Sequence, residues 1–68
     1  MRIGLISRLP HFKIKLEFME ISTIDYRQGF RMMEPFEWDL IIIVRCKSEL
    51  DDGWMQCIET HSKQWITI

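Results

Sequence analysis

The sequence predicts a small, mainly β domain, and three features of its 68 residues carry that prediction. Residues 40–44 (LIIIV) form a β-branched run of the kind found in a central strand buried on both faces. Residues 13–18 (KIKLEF) alternate between charged and apolar side chains, the period-two pattern of a half-buried strand. The three glycines and two prolines stand singly between apolar runs, as turn residues do, and leave room for at most one helix.

Taken in order, residues 2–7 (RIGLIS) alternate weakly and suit a short strand, and Pro10 marks a turn. The next run places Ile14, Leu16 and Phe18 on one face and Lys13, Lys15 and Glu17 on the other. Residues 1–20 therefore read as an N-terminal β-hairpin. Residues 22–36 (STIDYRQGFRMMEPF) fit two descriptions. As a helix capped by Ser22 or Thr23, they place Tyr26, Phe30 and Met33 on one face, but Gly29 costs about 1 kcal/mol in a helix interior and Pro35 ends it early. As a loop, they bend at Gly29. Residues 38–46 (WDLIIIVRC) are the clearest strand. KSELDDG then reads as a polar turn in which Asp52-Gly53 supply positive φ, WMQCIE as a strand, THSK as a turn and QWITI as the closing strand. The second half becomes a three-stranded meander. With a helix at 23–34, the alternative is a compact α+β domain of order β-β-α-β-β-β. A parallel α/β arrangement is suggested by the likeness of RIGLIS and EWDLIIIV to strands of receiver-like domains. It is set aside because about five residues separate the first two strands, whereas a parallel crossover needs about a dozen.

The chain has length for one domain, and one this short buries only about 60 % of its unfolded surface, so self-association is a natural support. Cys46 and Cys57 each sit in an apolar run and read as buried thiols in a reducing compartment. The N-terminal residues lack the apolar core and cleavage site of a secretory signal, and the longest apolar run is far too short to span a bilayer, so the expected location is cytoplasmic, with no membrane partner. The net charge of −1 divides into +3 over residues 1–33 and −4 over residues 34–68. This asymmetry lacks the dense basic stripe of a nucleic-acid binder.

The constellations of catalysis are missing. The glycines form no phosphate-binding loop, and neither metal-ligand spacing nor a cofactor motif is present. His61-Ser62 falls at an expected turn, Cys57 and His61 diverge if the segment is a strand, and Asp51-Asp52 are adjacent where acid–base chemistry needs convergent carboxylates. The chain reads as a non-enzyme without a cofactor.

In order, STIDY (22–26), Phe36 with Asp39, LIIIV, DDGWM (51–55) and QWITI resemble the landmarks of a divergent Src homology 3 (SH3) domain over residues 22–68. The resemblance implies a small SH3-like barrel, preceded here by the hairpin 1–20. It also implies recognition of a peptide, with Tyr26 at the last tyrosine of the family's opening motif and Trp54 at the tryptophan that receives prolines. Ile24 and Thr67 stand where the family has a groove tyrosine and a groove proline, Trp38 replaces a glycine, and the loop after Tyr26 is basic rather than acidic.

The function expected from these readings is a protein–protein interaction module, a small adaptor, regulator or inhibitor whose size suits a viral or mobile-element product. Tyr26, Phe36, Trp38 and Trp54 would form an aromatic patch, and Glu49, Asp51 and Asp52 an acidic edge suited to a basic peptide or protein surface. Met32 and Met33 lie close by. Two other classes are carried: nucleic-acid binding through Arg2, Arg8, Lys13, Lys15, Arg27 and Arg31 with Phe12 as a stacking ring, and a self-assembling homodimer or larger structural subunit.

Overall fold

The computed structural model describes residues 1–8 and 13–68; the expected turn at Pro10 and the stacking role of Phe12 lie outside the described residues. Strands dominate, with one short α-helix. The strands are β1 (Arg2–Ser7), β2 (Lys13–Leu16), β3 (Met19–Asp25), β4 (Leu40–Ile43) and β5 (Trp65–Thr67), and the helix is α1 (Asp52–His61). They form one sheet of order β2-β3-β1-β4-β5. β1 pairs in parallel with β3 on one side and β4 on the other, β5 is parallel to β4, and only β2 is antiparallel, to β3.

Several expectations are corrected by these pairings. β1 does not form a hairpin with β2; the hairpin is β2–β3, and β2 lies outside β3 at the sheet edge. Too few residues do separate β1 from β2 for a parallel crossover, but the parallel partner of β1 is β3, eleven residues further on. The connection through residues 8–18 carries β2 on its way. The second half is likewise not an antiparallel meander, because β4 and β5 are parallel neighbours joined through α1. The four parallel strands, numbered among themselves in chain order, lie in the sequence 2-1-3-4 of open doubly wound sheets.

Residues 54–59, expected as a strand, are helical. Asp51 has extended backbone and its Oδ1 accepts from the Trp54 amide at 2.9 Å, an N-cap that satisfies one of the free amides of the first turn. Trp54, Cys57 and Ile58 then fall at i, i+3 and i+4 and are buried together. Gly53 lies within the helix rather than in a positive-φ turn. The helix of the α+β alternative is absent. Residues 19–25 are strand, Tyr26–Gln28 a single 3₁₀ turn, and Gly29, at φ 86°, makes the bend of the loop description.

The hydrophobic core lies on one face of the sheet. Gly4, Ile6, Ile24, Ile41 and Ile43 alternate onto that face, where the latter four join Met33, Trp38, Trp54, Cys57 and Ile58 in the core. Gly4 lets the indole of Trp38 lie flat on the sheet: a Cβ there would stand 2.7 Å from Ile41 Cδ1 and 3.2 Å from two Trp38 ring carbons. Trp38 Nε1 donates to the Met33 carbonyl at 3.2 Å, so its polar group is satisfied inside the core.

Replacing Gly4 by alanine displaces the Ile41 Cδ1 methyl and presses on the Trp38 ring. The expected loss is about 1–3 kcal/mol, the usual range for overpacking, with a red shift of tryptophan emission. An unchanged urea midpoint and spectrum would contradict this packing.

Candidate functional site

The seven residues expected to form one aromatic and acidic patch are divided among three places. Trp38 and Trp54 are core residues, 2 % and 5 % exposed, so neither can receive a ligand as the structure stands. Trp54 meets Phe30 edge-to-face at 5.6 Å, and Trp38 meets Phe36 at 6.0 Å. Phe36 is half-buried beneath the Arg2 guanidinium, 4.0 Å from the ring centroid. Asp51 is occupied as the helix cap and Asp52 lies in the first turn of α1, where a carboxylate complements the helix dipole. Met33 is fully buried and Met32 packs against the core.

Tyr26 and Glu49 do come together, through Arg8. Arg8 Nε donates to the Tyr26 hydroxyl at 2.8 Å, and its Nη2 forms an ion pair with Glu49. This cluster sits at the C-terminal ends of the parallel strands, beside the point where strand order reverses and open α/β sheets place their ligands. Here the polar groups are already engaged with one another. Arg27 grips Asp25 through Nε at 2.9 Å and Nη2 at 2.7 Å, while the Arg27 amide donates to the same carboxylate at 3.0 Å. These bonds hold the Asp25 carboxyl below the usual carboxylate range, with the Arg27 side chain the larger cause and its amide the next.

Four of the six cations expected to contact nucleic acid are similarly engaged. Arg2 and Lys13 share Glu20, at 3.3 and 3.4 Å, and Arg8 and Arg27 are held as described. The thiols of Cys46 and Cys57 are unbridged, and burial is the first cause that pushes both above the ordinary thiol range, away from the reactive thiolate.

The second face of the sheet is open in part: Ser7, Thr23 and Asp25 lie on it and are buried, and its apolar residues are half-buried or exposed. Strand alternation places Ile14, Leu16, Met19, Ile21, Ile3, Leu5, Leu40, Ile42 and Ile66 there. The register aligns them in rows: Ile14, Ile21, Ile3 and Leu40 run across four strands, and Leu5, Ile42 and Ile66 continue the surface one step along. None of the nine belongs to the core cluster or packs against it. Ile14 and Leu16, expected on the buried side of a hairpin, are 44 % and 54 % exposed, and Ile66 is 39 % exposed. Phe18, expected beside them, is in the β2–β3 turn and highly exposed. The alternation in KIKLEF was visible in the sequence, but whether anything covers its apolar side depends on the partners of β3 and β1.

No family model, curated protein or solved structure matches the chain. Among the described residues, no helix is long and apolar enough to cross a membrane.

Asp39 provides a test of the polar framework. Its Oδ2 accepts from the Arg2 amide at 2.7 Å and its Oδ1 lies 3.3 Å from Lys63 Nζ, and these two contacts, in that order, lower its pKa. A carboxylate with a lowered folded-state pKa stabilises the fold above its unfolded value and loses that contribution as pH falls through the folded value. Asp39→Asn should therefore be less stable than the parent at neutral pH, with the gap closing as pH drops below about 4. A gap independent of pH in urea titrations would contradict this assignment.

Proposed function

We propose that the chain is a non-catalytic protein-binding module, an adaptor or regulator whose contact surface is the second sheet face. The observation that carries this reading is the set of nine apolar residues spread over all five strands, interrupted by the buried Thr23 beside Leu5 and bounded at one end by Ser7 and Asp25. Predominantly parallel sheets are ordinarily covered on both faces, because their crossovers lay helices over them. In this chain α1 and the loop 30–38 lie on one face, while the β1-to-β3 connection carries an edge strand. Taking strands about 4.8 Å apart and about five residues long on average, this face has a flat footprint of about 400 Å², within the range of the largest patches of monomeric proteins.

The SH3 resemblance is consistent with protein recognition as the class of activity, but it does not supply this surface. The patch expected around Trp54 is replaced by the sheet face. Absence of catalysis is part of the proposal. It is supported by carboxylates and arginines engaged with one another and by thiols whose pKa values are raised.

Site-specific photo-crosslinking tests the reading. A benzophenone amino acid replaces Ile42, in the middle of the second face, or Glu59, exposed on α1, in chains expressed in the native host. Protein adducts should form from position 42 and be far weaker from position 59. Equal adducts from both positions, or none from position 42, would contradict the proposal.

A further inference from the structure

We draw no further inference here: the strongest candidate, the cleft between α1 and residues 30–34 that Cys57 and His61 line one helical turn apart, rests on one buried thiol, with no third donor among the described residues to complete a metal site and no other feature that points to a ligand.

Discussion

The structure depends on the position of β1, held in parallel between β3 and β4 with Gly4 beneath the indole of Trp38. Three segments distant in sequence meet at that strand. Its amides and carbonyls knit the centre of the sheet, and its missing side chain at Gly4 lets the loop 30–38 close down as a layer. Asp39 fastens the start of this arrangement, accepting from the Arg2 amide while its own amide donates to the Arg2 carbonyl at 2.9 Å. From that centre α1 needs only its Asp51 cap and the Trp54, Cys57 and Ile58 stripe to complete the covered face.

Among the described residues, the same connectivity lays no helix on the other face. A helix between β1 and β3 would have supplied a second layer. The chain instead places β2 in that connection and adds a strand to the edge. Ile3, Leu5, Ile21 and Ile42 therefore carry the apolar character of a sheet buried on both sides but lie outside the core cluster and are only half-buried. This mismatch between strand composition and strand environment motivates the functional reading. The aromatic residues, which look more like an interface in composition, are used to build the core.

The sequence showed the local elements better than their pairings. RIGLIS, KIKLEF, LIIIV and QWITI all contain strands, and the two cysteines are buried free thiols. Local alternation reports a strand and its two faces, whereas partner and direction depend on contacts far apart in sequence. That is why β2 read as the partner of β1, and why Ile14 and Leu16 read as buried. The helix was legible but overlooked. Asp-Asp-Gly suits a turn, yet Asp51 three residues before Trp54 is also an N-cap, and positions 54, 57 and 58 follow helical spacing. The candidate face was present in the sequence as a list of aliphatic residues. Its position follows only from β2 lying outside β3 at the sheet edge.

The central claim is that β1 lies in parallel between β3 and β4, with β2 outside. Nuclear Overhauser contacts among backbone protons test it most directly. Residues 3–6 should show contacts to residues 21–24 on one side and to residues 40–43 on the other, in the staggered pattern of parallel pairing, and none to residues 13–16. Contacts joining residues 3–6 directly to residues 13–16 would restore the N-terminal hairpin and contradict both the one-sided core and the apolar second face derived from it.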